Sequence, residues 1–125
     1  IKKMKNIFIF FLIFCSCKNN DNFELLDYKN FKVQIENKNV QLFDVRTPEE
    51  FEIGNINGSI NVDFKNDEIF NTFFKNLNKS DTIYLYCRSG NRSKKSAEKL
   101  IDLGFKKIYD LKGGFIEWNL NELKN

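Results

Sequence analysis

The residues best suited to chemistry in this chain are Cys87-Arg88-Ser89-Gly90-Asn91-Arg92-Ser93, where a thiol is followed by small, polar and cationic residues. A loop of this composition can curl so that the amides of Arg88 to Arg92 point inward. A helix opening near Ser93 would set its positive end against the same point. An anion held there meets fixed donors. Helix N-termini and neighbouring arginines favour a thiolate over a thiol, so Cys87 is expected to be a nucleophile, exposed at a strand end, that needs no general base. That matters because the chain contains no histidine. Cys-His protease chemistry is thereby excluded, and a zinc site would have only oxygen ligands beside one domain cysteine. In this reading Arg88 reaches outward to anionic oxygens, while Ser89, Gly90, Asn91 and Ser93 chiefly supply backbone amides, Gly90 permitting the tight turn. Arg92 either holds the substrate or braces the loop through a carboxylate such as Asp44. The plainer alternatives are a buried structural thiol at Cys87 and a solvated loop charge at Arg88.

The elements that must position this loop are legible in outline. Thr82-Ile83-Tyr84-Leu85-Tyr86 is a β-branched and aromatic run, as expected of a strand buried on both faces, and it delivers Cys87 off its C-terminal end. Ser93 to Leu103 reads as a helix with Ala97, Leu100 and Ile101 on one face and Gly104 closing it. Upstream, Val40 to Val45 is strand-like, and Thr47-Pro48-Glu49-Glu50 has the N-cap, first-turn proline and acids of a helix start, with Gly54 as its end. Ile60-Asn61-Val62 is a short strand, and Ile69 to Leu77 carries apolar Ile69, Phe70, Phe73, Phe74 and Leu77 at helical spacing. Lys107 to Asp110 reads as a last strand, Gly113-Gly114 as a turn, and Phe115 to Leu123 as a final helix. Strands alternating with helices imply an α/β fold with a mainly parallel sheet. Ligands bind such sheets at the carboxyl ends of the strands, where Cys87 falls.

The first residues have a different character. IKKMKNIFIFFLIFCSCKNNDN has three lysines in its first five residues, an unbroken apolar run from Ile7 to Phe14 and a polar tail. This is the layout of a secretory signal, too short to be a spanning helix of about 20 apolar residues. Ser16-Cys17 resembles the lipobox of bacterial lipoproteins, in which a cysteine is lipidated and becomes the new N-terminus. Phe14 departs from the leucine usual in that motif, which leaves ordinary cleavage or use of Cys15 as alternatives. The expected organisation is a signal at 1–16, a tether at 17–22 and one domain at 23–125. It implies an exported, periplasmic or cell-envelope protein held to a membrane by lipid on Cys17. Lys2, Lys3 and Lys5 fall in the leader, so the 20 basic residues drop to 17 and match the 17 acidic ones. A nucleic-acid partner then loses its electrostatic basis. Cys87 would be the single thiol of a roughly 109-residue domain, long enough for one core, and no intramolecular disulfide could form.

The loop also separates two anion chemistries. Tyrosine-phosphatase-like enzymes have five residues between cysteine and arginine, whereas Cys87 and Arg92 enclose only four. The shorter ring suits one extra sulfur on the cysteine. Cys-Arg-Ser-Gly-Asn-Arg-Ser closely resembles the loop of the thiosulfate-using rhodanese family. Asp44-Val45-Arg46-Thr47-Pro48-Glu49-Glu50-Phe51 and Gly54-Asn55-Ile56-Asn57-Gly58-Ser59-Ile60-Asn61 resemble that family's entry motifs, and Leu111-Lys112-Gly113-Gly114 with Trp118 its closing one. Asn55 stands where the family commonly has histidine. The resemblance implies a single rhodanese domain with a roughly five-stranded sheet and helices on both faces. It implies a sulfurtransferase that moves a sulfane sulfur from thiosulfate or a similar small anionic donor to a thiol or cyanide through a Cys87 persulfide. No metal or organic cofactor is implied, and a monomer is expected. Asp44, Arg46 and Ser93 are expected to support the loop from behind, and Glu50, Gly113, Gly114 and Trp118 to be architecture. A persulfide carrier without turnover is the alternative, and a phosphatase or arsenate reductase on the same scaffold a weaker one.

Overall fold

The computed structural model describes residues 23–125; the expected signal, the expected tether and the expected lipid site at Cys17 lie outside the described residues. Five parallel strands form one sheet: β1 (Glu24–Leu26), β2 (Gln41–Asp44), β3 (Ile60–Asn61), β4 (Thr82–Tyr86) and β5 (Lys107–Leu111), in the order β1-β5-β4-β2-β3. The helices are α1 (Tyr28–Ile35), α2 (Pro48–Ile53), α3 (Asp67–Lys75), α4 (Asn91–Asp102) and α5 (Gly114–Glu122). The expected α/β architecture is therefore the observed one. Among the described residues no helix is long and apolar enough to cross a membrane.

Each face of the sheet carries its own core. On one face Phe43, Ile83 and Leu85 from the strands, with Val45 and Cys87 just beyond the ends of β2 and β4, meet Phe70 and Phe74 of α3 and Ala97 and Leu100 of α4. On the other, Leu42, Tyr84, Tyr86 and Leu111 meet Phe31 and Ile35 of α1, with Phe115 and Trp118 of α5 packed against them. The alternation of side chains along β4 explains both sets: Ile83 and Leu85 turn one way, Tyr84 and Tyr86 the other. With both faces covered and neighbours on both edges, β4 is the most enclosed strand, which is why its sequence is almost unbroken in apolar residues.

Local signals hold the ends in place. Thr47 and Glu50 form a reciprocal capping box with Pro48 in the first turn of α2. Asp27 and Asn66 cap α1 and α3 by accepting from Asn30 and Ile69 amides. The sequence left residues 23–39 without distinct elements. There β1 is three residues long and α1 buries only Phe31 and Ile35, so neither repeats long enough to show a period. The helix after Cys87 opens at Asn91, two residues before the expected Ser93. Gly90 is its cap in the left-handed region, φ 113°, and brings no side-chain oxygen to advertise the start.

Candidate active site

Cys87 sits immediately beyond the end of β4, and the chain turns back over it. The Gly90 amide donates to its sulfur at 3.1 Å, and its thiol donates to the Ser93 hydroxyl at 3.3 Å. The Ser93 hydroxyl in turn donates to the Gly90 carbonyl at 3.2 Å. These contacts gather the loop around Sγ. They also bury it: Cys87 is 1% exposed, against the expectation of an open thiol. The reason is the four-residue loop, which is short enough to lie on the sulfur it presents. Both readings of this cysteine thus meet in one residue, packed against the core and directed at loop donors.

Arg92 does not use Asp44. Its guanidinium makes a bidentate pair with Glu50 at 2.6 and 2.8 Å, tying the loop to α2. Glu50 already caps α2 through Thr47, so the capping box and the loop brace share one carboxylate. The hydrogen bonds from Arg92 hold the Glu50 carboxyl at about 2, well below the ordinary range, against the opposing effect of burial. The sequence offered Glu50 as architecture only; its fixed place in the first turn of α2 was the visible signal.

Asp44 is instead paired with Arg46. Nη2 of Arg46 donates to Oδ2 at 2.6 Å and to the Gly54 carbonyl at 2.6 Å, and the guanidinium lies 4.3 Å from the Phe115 ring. Asn61 closes the same corner by donating to the Asp44 and Arg46 carbonyls at 3.0 and 2.8 Å. This buried knot fixes the turn from β2 into α2 beneath the loop. Asn55 donates to the Phe51 carbonyl at 3.0 Å and closes the end of α2.

The opposite wall is Gly113-Gly114. The Phe115 amide donates to the Cys87 carbonyl at 2.8 Å and the Ile116 amide to the Arg88 carbonyl at 3.1 Å. Gly114 lies at φ 62°, and a Cβ there would come within 2.6 Å of the Arg88 and Cys87 carbonyls. Arg88, Ser89 and Asn91 are exposed at the mouth, with Gly90 half-buried behind them. Among the described residues no carboxylate pairs with Arg88, which leaves an exposed cation beside Cys87.

A family model described as the rhodanese-like domain matches residues 27–121. The chain belongs to the rhodanese family. Among curated relatives, the rhodanese domain is 37% identical over 89 residues to thiosulfate sulfurtransferase 16, chloroplastic, of Arabidopsis thaliana, covering 64% of this chain and 74% of that protein. It is 36% identical over 110 residues to the tRNA uridine(34) hydroxylase of Pelagibacter ubique, covering 88% of this chain and 35% of the relative. The chain thus spans about a third of that relative's length. A rhodanese-related protein from Thermoplasma volcanium shares the structure with a TM-score of 0.66 at 28% identity, over 78% of this chain and 92% of that one. Relatives named as sulfurtransferases place the domain in a sulfurtransferase family.

Proposed function

We propose that this rhodanese domain is a working sulfurtransferase that carries sulfur on Cys87. The observation that supports this most directly is a thiol held by the Gly90 amide at 3.1 Å inside a loop with only four residues between Cys87 and Arg92. The thiolate attacks the outer sulfur of thiosulfate or a similar sulfane donor. A new S–S bond forms to Cys87, the donor's S–S bond breaks, and sulfite leaves with the electron pair. Arg88 and the loop amides stabilise the anions as charge moves between them. A thiol acceptor, or cyanide, then removes the outer sulfur and restores the thiolate. Arg92, committed to Glu50, holds the loop's shape.

The test is intact mass of the purified protein after thiosulfate, beside Cys87→Ser. A gain of about 32 Da that dithiothreitol removes and the serine variant lacks is the expected persulfide. Repeated sulfite release with a thiol present distinguishes turnover from a carrier. No gain from any sulfane donor overturns the reading. The leader-like N-terminus supports a further part of the proposal, export as a monomer anchored by lipid on Cys17 to a bacterial membrane. Expression in a bacterial host should give a membrane-bound form that Cys17→Ser releases, and an unmodified wild-type mass would refute it.

A further inference from the structure

Asp110 is fully buried, and neither of its carboxylate oxygens has a hydrogen-bond partner. It lies near the C-terminal end of β5, in register beside Leu85 of β4. Side chains at paired positions of parallel strands share a face, so Asp110 shares the face of Leu85 and, two residues on, Cys87. A buried carboxylate with no partner is costly, and in this fold it is placed beside the reactive loop. Asp110 lines a cleft of about 460 Å³ together with Ser89 and Gly90 of that loop, Phe23 and Leu25 on its apolar side, and Lys94, Lys112 and Gly113. The charged groups that line the cleft with it are Lys94 from α4 and Lys112 from the turn after β5. The Ser93 side chain is the group that favours its charged form. The Ser93 hydroxyl gives its hydrogen bond to Gly90 instead and receives one from Cys87. A rotation of one hydroxyl would therefore connect Asp110 to the sulfur site. Burial outweighs Ser93 and pushes the Asp110 carboxyl up to about 7, so the proton is held or released near neutrality.

A persulfide whose outer sulfur is an anion repels the thiolate that must attack it. We propose that Asp110 is the acid–base residue for unloading sulfur from Cys87, acting through the Ser93 hydroxyl, and that the cleft above it admits a small thiol bearing an anionic group. This rests on the sulfurtransferase reading of Cys87. Asp110 passes its proton through Ser93 to the sulfur carried by Cys87, breaking an O–H bond and forming an S–H bond. The acceptor thiol, its anionic group between Lys94 and Lys112, then gives its own proton to the Asp110 carboxylate. The resulting thiolate attacks the outer sulfur. An S–S bond forms to the acceptor, the bond to Sγ breaks, and the electron pair returns to Cys87 as thiolate. The acceptor leaves as a protonated persulfide, Asp110 is again an acid, and no outside oxidant or reductant is consumed.

The experiment separates the two half-reactions in single turnover on the purified full chain. Loading is followed by sulfite release from thiosulfate, and unloading by transfer to glutathione across pH 5.5 to 8.5. In the wild type, unloading per glutathione thiolate should break near pH 7. Asp110→Asn should slow unloading about 100-fold and remove the break, while loading changes less than tenfold; Asp110→Glu should retain the break. Equal loss in both half-reactions, or unaltered unloading by Asp110→Asn, overturns the proposal. So does a wild-type profile without the break, which needs no variant to fold. Wild-type protein that takes up no sulfur defeats the sulfurtransferase reading itself, so the two failures are told apart.

Discussion

With Cys87 1% exposed, the proposed sulfur donor must enter the loop rather than collide with a surface thiol. This puts unusual weight on the residues that set loop shape, and Arg92 with Glu50 is the clearest case. A bidentate guanidinium–carboxylate pair fixes orientation as well as distance. Glu50→Gln should leave Cys87 in place yet free Arg92, and misplacement on the scale of 1 Å can slow a reaction about 100-fold. Persulfide formation followed by intact mass against time would show the loss. Arg92→Lys should be nearly as slow, because an ammonium cannot make the fork. The pH sign is also defined. Glu50 has its carboxyl depressed to about 2 in the folded state, so its contribution to stability is full above the ordinary carboxylate range and is lost as pH falls toward that value. The difference in stability between wild type and Glu50→Gln, read from urea unfolding, should therefore narrow between about pH 4 and 2.

At the level of elements, the loop is a clamp between two helix starts, α4 behind it and α5 across from it. Both are capped by left-handed glycines, Gly90 and Gly113, without a side-chain cap. Gly114 is the tighter constraint, since its missing Cβ makes room for the carbonyls of Cys87 and Arg88. Gly114→Ala should cost about 1–3 kcal/mol from the positive φ, and should abolish sulfur loading by pushing the loop from α5. Urea unfolding and intact mass give the two readings on one sample. Stability of the sheet depends on α3 in a similar way. Phe74 packs against Phe43, Phe70, Phe73 and Phe105 with ring centroids 5.1, 4.7, 5.2 and 6.2 Å away. Phe74→Ala should destabilise the fold by about 3–5 kcal/mol; α3 packs on the core side of Cys87 but, among the described residues, supplies none of the loop's hydrogen bonds, so thiosulfate loading by the folded fraction should persist.

Over the whole molecule, the buried Asp110 makes stability depend on pH. Its folded carboxyl, raised from 3.8 to about 7 by burial, favours the neutral form. That contribution is complete below pH 4 and is lost as pH rises through 7. Asp110→Asn should consequently raise stability at pH 8 by roughly 1–3 kcal/mol and change it little near pH 4, where both side chains are neutral. Thermal unfolding at the two pH values checks it. How much of this was written in the chain divides along physical lines. The strand that delivers Cys87, the four-residue loop, the capping box at Thr47 and the Gly113-Gly114 turn all depend on covalent spacing and local dihedral preference. A reader of the sequence can therefore find them, and the α/β fold with them. The three-residue β1 and the side-chain-free cap at Gly90 emit no such local signal. The partner of Arg92 is 42 residues away in the chain, and Asp44, likewise a carboxylate, was already taken by an arginine two residues on. Choosing between them is a question of packing, and only the assembled sheet and α2 answered it. The same holds for the closed position of Cys87 and for an Asp110 without a partner: each follows from what the tertiary fold places, or fails to place, around a residue whose type alone said only that it could react or ionise.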